Sequence, residues 1–153
     1  MRKKYQVIIH LFIIVLITIV AYFPSLKNDF TNWDDPDLIL ANVQIRSLSV
    51  DNLKNFFSTS YGGFGGYTPL VFISYALDYH FFNLDPRAFH ATNLLLHILN
   101  SLLIYAFIYL VSRRISISLF VAALFSLHPL HVEVGAWTQG RKDLLFSLFY
   151  IAP

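Results

Sequence analysis

Residues 88–111 read AFHATNLLLHILNSLLIYAFIYLV. The run is long enough to cross a bilayer as one helix, for which about 20 mostly apolar residues suffice. Its main polar residues are His90, Asn93, His97 and Asn100. At the helical rotation per residue these four fall within about a quarter turn, a polar stripe on an otherwise apolar rod. Polar groups in lipid need partners, so the stripe is expected to face protein or a cavity.

The composition agrees. Of 153 residues, 56% are hydrophobic and only 13% charged, against roughly a quarter charged in soluble domains. Mean hydropathy is +0.57. Such a chain cannot coat itself with polar surface, and a membrane protein is the expectation. An aromatic content of 17% excludes disorder, and the 6 Gly and 6 Pro exclude collagen-like and low-complexity classes. With no cysteine there is no disulfide scaffold, thiol catalysis or cysteine-ligated metal. The net charge of +2 is scattered, so nucleic acid is not an expected partner.

Working outward, residues 1–6 are a basic flank and residues 7–24 a first span, with Val7 to Phe23 interrupted only by His10 and Thr18. A cleavable signal would end in a small-x-small site, whereas Tyr22, Phe23 and Pro24 follow here, so an uncleaved anchor is expected. Residues 25–87 form a long loop outside the membrane. Within it, residues 49–57 predict a short surface helix, with Ser49 or Asp51 as cap and Val50, Leu53, Phe56 and Phe57 on one face. Thr68-Pro69 opens a second helix over 69–82, which contains Asp78 and is too short to span. After the span 88–111, Arg113-Arg114 closes a turn over 112–114. Residues 115–134 are expected to be the third span and 135–143 a short outer turn. Residues 144–153 read as the start of a fourth span, cut short. The fold class is therefore an all-α, polytopic membrane helical bundle of about three full spans plus a truncated fourth, with juxtamembrane helices outside. Basic residues at the N-terminus and at Arg113-Arg114 mark the cytoplasmic side. Arg141-Lys142 then lie outside, against the rule, and an anionic ligand would account for them.

Three local clusters bear chemistry. Asp34, Asp35 and Asp37 follow Trp33 just beyond a membrane exit. Neighbouring carboxylates beside a low-dielectric region raise one another's pKa, which suits a general base or a cation site. The plainer reading is an Asx-type turn ending in Asp35-Pro36. His128, His131 and Glu133 have the residue types of a metal site, but Pro129 and the spacing do not match one, and a helix-end histidine pair accounts for them. Gly140-Arg141-Lys142-Asp143 suits a phosphate at a helix start, or simply a charged helix flank. Gly62 to Gly66 lacks the Lys-Ser or Lys-Thr of a nucleotide loop and reads as a flexible segment or lid. No cofactor is called for, and a divalent metal has no support from the residues.

Five phrases stand in order: Asn32-Trp33-Asp34-Asp35, Tyr67-Thr68-Pro69-Leu70, Phe89 to His97 (FHATNLLLH), Leu127 to Glu133 (LHPLHVE) and Gly140-Arg141-Lys142-Asp143. Together they resemble the N-terminal membrane part of the transmembrane and tetratricopeptide-repeat proteins, which belong with the protein O-mannosyltransferases in the C-type glycosyltransferase superfamily. The resemblance covers nearly the whole chain and departs at Thr68, where many relatives carry Arg. It implies part of an integral-membrane enzyme that moves a sugar, often mannose, from a polyprenyl-phosphate lipid donor to a hydroxyl-bearing acceptor such as protein Ser or Thr. The reaction would take place on the outer or lumenal side of a bacterial inner membrane or the endoplasmic reticulum. The segment alone is expected to be inactive. Asp34 and Asp35 match the family's acidic pair. Arg141 and Lys142 would then bind the donor phosphate, with His90, Asn93, His97, His128, His131 and Glu133 as a supporting polar site. Two other readings of the residues remain. One is a non-catalytic anchor whose polar stripe binds partner helices. The other is a transporter using Asp78, His90 and His97 as an intramembrane relay.

Overall fold

A computed structural model describes residues 2–58 and 67–152; the Gly62 to Gly66 segment lies outside the described residues. Helices and short helical turns make up the fold, and there is no strand among the described residues. In chain order the helices are α1 (Arg2–Tyr22), α2 (Val50–Ser58), α3 (Pro69–Phe82), α4 (Pro86–Ser112), α5 (Ile115–Leu127), α6 (Val132–Ala136) and α7 (Arg141–Ile151).

Two stretches are long and apolar enough to cross a membrane, Lys3–Lys27 and Pro86–Ser112. A third exists if the bent pair Ile115–Leu127 and Pro129–Ala136 counts as one span. The stretch expected as the third span, 115–134, has a 51° bend between two limbs. Pro129 causes the break. It disfavours helical backbone at the preceding residue, and His128 is extended, its ring accepting from the Leu130 amide. The helix expected from 144 starts earlier, at Arg141, because the Thr138–Gly140 turn leads directly into it.

α1, α4 and α5 form the apolar bundle. Its buried apolar residues are few: Ile14, Tyr105 and Ala122, with Val7, Leu11, Leu102, Ile104 and Leu119 against them. Thr18, Ser101, Ser118 and Ser126 are also buried, and each hydroxyl donates to a carbonyl three or four residues earlier in the chain. Small residues let helices approach closely where lipid gives no hydrophobic incentive to associate. Ile8, Phe12, Val20, Phe107, Leu110 and Phe120 are exposed, as lipid-facing side chains should be. Gly135 lets α6 lie against α1: a Cβ there would meet the Tyr22 ring at 2.5 Å.

A second core sits beyond one end of the bundle. Leu38, Ile39, Ile45, Phe56, Val71, Phe72, Tyr75, Ala76 and Phe89 are buried together there. They come from the loop after α1, from α2 and α3, and from the start of α4. A π-helical turn at Pro36–Leu40 and a 3₁₀ turn at Val43–Arg46 carry Leu38, Ile39 and Ile45 inward. The amphipathic α2 buries Phe56 against Phe72, with ring centroids 5.8 Å apart. α3 is packed into this core, not lying free on a surface.

Candidate functional site

The site lies where the second core meets the starts of α4 and α7. Asp85 caps α4 by accepting from the Arg87 amide, and Pro86 occupies the first turn. The helix then points its stripe inward: His90, Asn93, His97 and Asn100 are all buried. Asn93 is the hub. Its Nδ2 donates to the Trp137 carbonyl at 2.8 Å, and its Oδ1 accepts from Arg141 Nε at 2.8 Å. Asn100 Nδ2 donates to the Leu144 carbonyl at 2.9 Å. His97 Nε2 lies 3.0 Å from the Ser126 carbonyl, and its ring packs on Tyr22 and Phe125. The stripe therefore fastens α4 to α5, α7 and the turn between α6 and α7.

Arg141 occupies the centre of this junction and is fully enclosed. All three guanidinium nitrogens donate: Nε to Asn93, Nη1 to Asp78 Oδ2 at 2.5 Å and Ser74 Oγ at 3.3 Å, and Nη2 to the Phe89 carbonyl at 2.7 Å. Its plane lies over the Tyr75 ring, 4.8 Å from the centroid. Thr92 Oγ1 donates to the other Asp78 oxygen at 2.7 Å. Arg141, expected to bind the donor phosphate, is thus spent on protein partners here. A guanidinium engaged this fully joins α3, α4 and α7, and it presents no free fork to a ligand. Lys142, one residue on, is exposed on the wall of an apolar groove that also includes Thr68, Leu70, Phe146 and Tyr150.

The Trp33-Asp34-Asp35 loop reaches the same junction. Trp137 Nε1 donates to Thr31 Oγ1 at 2.9 Å, and the Trp33 and Trp137 rings lie 6.1 Å apart. Thr31 in turn gives Asp35 Oδ2 two hydrogen bonds, from its amide at 2.8 Å and its hydroxyl at 3.0 Å. Asp35 is fully buried, while its second oxygen, Oδ1, has no hydrogen-bond partner. Burial holds its carboxyl above the ordinary range, Asp34 adds to the rise, and Thr31 and His90 partly offset it. Asp34 is half-buried and Asp37 exposed. Tyr75, whose hydroxyl donates to the Thr138 carbonyl at 3.1 Å, has its phenol pushed up by burial and so stays protonated.

The remaining residues are more dispersed. His131 Nδ1 lies 2.7 Å from the Phe125 carbonyl, and its ring is 5.9 Å from that of His97 and 5.8 Å from that of His128. Glu133 is exposed. Among the described residues no three His, Asp or Glu side chains are grouped to hold a metal ion. Asp78 is paired with Arg141 and Thr92, so it is not joined to His90 and His97 in a relay. Sequence reasoning missed Ser74, Thr92, Tyr75, Thr31 and Trp137 as site members. Their partners are up to 106 residues distant in the chain, and no local spacing reports such pairs.

Comparison with known proteins agrees with the resemblance read from the five phrases. No protein-family model matches the chain, and no solved structure does. Curated homologues do. Protein O-mannosyl-transferase TMTC3 of Mus musculus is 29% identical over 92% of this chain and 16% of its own length. Protein O-mannosyl-transferase Tmtc1 of Drosophila melanogaster is 32% identical over 86% of this chain and 16% of its own length. Protein O-mannosyl-transferase F38B6.6 of Caenorhabditis elegans is 26% identical over 99% and 23% respectively. The chain thus spans about a sixth to a quarter of the relatives it matches.

Proposed function

We propose, taking kinship with protein O-mannosyl-transferases as the premise, that this chain contributes the acidic-loop side of a membrane glycosyltransferase site. Mannose would pass from a polyprenyl-phosphate donor to an acceptor hydroxyl, such as protein Ser or Thr. The transfer would take place on the side of the membrane where the Asp34-Asp35 loop and the start of α7 meet. The observation that carries the reading is the state of Asp35, buried and held by Thr31 through one oxygen with the other oxygen spare. A carboxyl held above its ordinary range is a stronger base once ionised than an exposed aspartate.

In this reading Asp34 or Asp35 takes the acceptor proton as the acceptor oxygen bonds to the sugar, and the donor phosphate leaves with the electrons of the broken bond. Asp34 is the more accessible of the two, Asp35 the more perturbed. Lys142 is the cation positioned for phosphate charge, beside an apolar wall that suits an isoprenoid tail. Arg141 serves by fixing Asn93 and the start of α7. His90, Asn93, His97, His128, His131 and Glu133 are the supporting polar groups, of which Asn93 and His97 hold helices together.

The experiment is mannose transfer in membranes from cells expressing the full-length protein, with Asp34→Asn, Asp35→Asn and the double variant. Loss of the base is expected to slow transfer by about 10²- to 10⁴-fold in at least one single variant. Wild-type rates in all three, at equal protein levels, would remove the assignment.

A further inference from the structure

A base sealed from solvent needs a route by which to lose the proton it takes. Asp35 is fully enclosed with Oδ1 unpartnered, and His90 near the start of α4 is fully enclosed with neither ring nitrogen hydrogen-bonded in good geometry. Leaving such groups buried and unpaired is destabilising, so their retention calls for an explanation. The Phe30 ring packs edge-on against that of Phe89, centroids 5.3 Å apart, which lays the loop carrying Asp29 and Asp35 against the start of α4. Asp35 and His90 interact electrostatically across that contact, and His90 also faces the backbone of Asp29 and interacts with its carboxylate. Asp29 is exposed, and with Lys27, Asn28, Asp85 and Arg87 it lines an open polar cleft of about 610 Å³. An acid, an imidazole and a second acid leading to water form an ordered series from the sealed oxygen to the surface.

We propose that His90 is a proton-relay residue linking the enclosed Asp35 carboxylate to the cleft at Asp29. This rests on the reading of Asp35 as the base. After transfer, the Asp35 O–H bond breaks and its proton passes to the imidazole nitrogen nearer to it. The opposite ring nitrogen releases its own proton to the Asp29 carboxylate or to water in the cleft. One proton moves from acceptor to solvent, and the imidazole is again neutral in the other tautomer, which exchange with water resets. The other charged or titratable groups facing this series are Asp34, Arg141 and Tyr75. Arg141 is committed to Asp78 and Tyr75 stays protonated, so neither competes for the proton.

The test uses His90→Gln and Asp29→Asn beside Asp35→Asn, in membranes from cells expressing the full-length protein. Mannose transfer should fall about tenfold or more in His90→Gln, with a larger solvent deuterium isotope effect and an alkaline shift of its pH midpoint. Asp29→Asn should show a smaller change in the same direction. If Asp35→Asn abolishes transfer while His90→Gln keeps the wild-type pH profile and isotope effect, the relay is overturned and the base stands. If Asp35→Asn transfers normally, the base assignment fails, and an infrared readout decides the relay without activity. The carboxyl band lost in Asp35→Asn should titrate about one pH unit higher in His90→Gln. An unmoved band overturns the coupling.

Discussion

Two carboxylates are buried near the junction of α3, α4 and α7, and their surroundings differ in kind. Asp78 is saturated: Arg141 takes one oxygen and Thr92 the other. Asp35 is half-satisfied, with Thr31 on one oxygen and nothing on the second. A saturated buried charge has no capacity left for a ligand, so its effect is to hold three helices in register. A buried charge with a spare lone pair costs stability and is kept where chemistry uses it. Burial alone does not separate the two roles; the count of remaining valences does.

The largest effect expected from this contrast falls on the saturated pair. Arg141→Met leaves Asp78 buried without its countercharge, held by Thr92 alone, and should cost about 3–5 kcal/mol. It should be seen as loss of folded protein in detergent, with Arg141→Lys rescuing poorly because an ammonium cannot reproduce the fork. Folded Arg141→Met of wild-type stability would break the distinction drawn here. Next is Gly140→Ala, since a Cβ at Gly140 would collide with the Val134 carbonyl oxygen. Relieving that overlap should cost about 1–3 kcal/mol and lower the melting temperature, because it displaces the turn that delivers Arg141. Thr92→Val removes one bond to Asp78 while keeping shape, and a melting curve should report a loss of about 1.5 kcal/mol.

The smallest effect concerns Asp35 and runs the other way. Its carboxyl is raised in the folded state, so the fold binds its proton more tightly than the unfolded chain does. Stability from this group is therefore complete below the ordinary Asp value of about 4 and declines as pH rises through the raised folded value. Asp35→Asn should flatten that part of the melting-temperature profile and leave the protein as stable as wild type, or more so, at neutral pH. A destabilised Asp35→Asn would place Asp35 with Asp78, among the structural charges.

Much of the bundle was legible in the sequence because its determinants are local. The 88–111 run, the Asp85-Pro86 start and the spacing of His90, Asn93, His97 and Asn100 are all read within a few turns of one helix. The acidic pair was legible as a pair, but not as one enclosed aspartate beside a half-open one, because that depends on Thr31 being held by Trp137. The fate of Arg141 was not legible. Its position after a glycine and before a lysine looks like a ligand-binding helix start, and only the fold brings Asp78, 63 residues earlier, into contact. The break at His128-Pro129 was written in the proline, although the apolar run from 115 to 134 reads as one span with that phrase near its end.

That break sets a length. Thirteen residues of α5 rise about 20 Å, roughly a third short of the hydrocarbon thickness of an ordinary bilayer. The limb beyond the kink leaves at 51° and carries Trp137 and the entry to α7 with it. Trp137 is the residue that Asn93 holds by its carbonyl and that itself holds Thr31 by its indole, so the angle at one proline fixes where the stripe of α4 and the acidic loop come together.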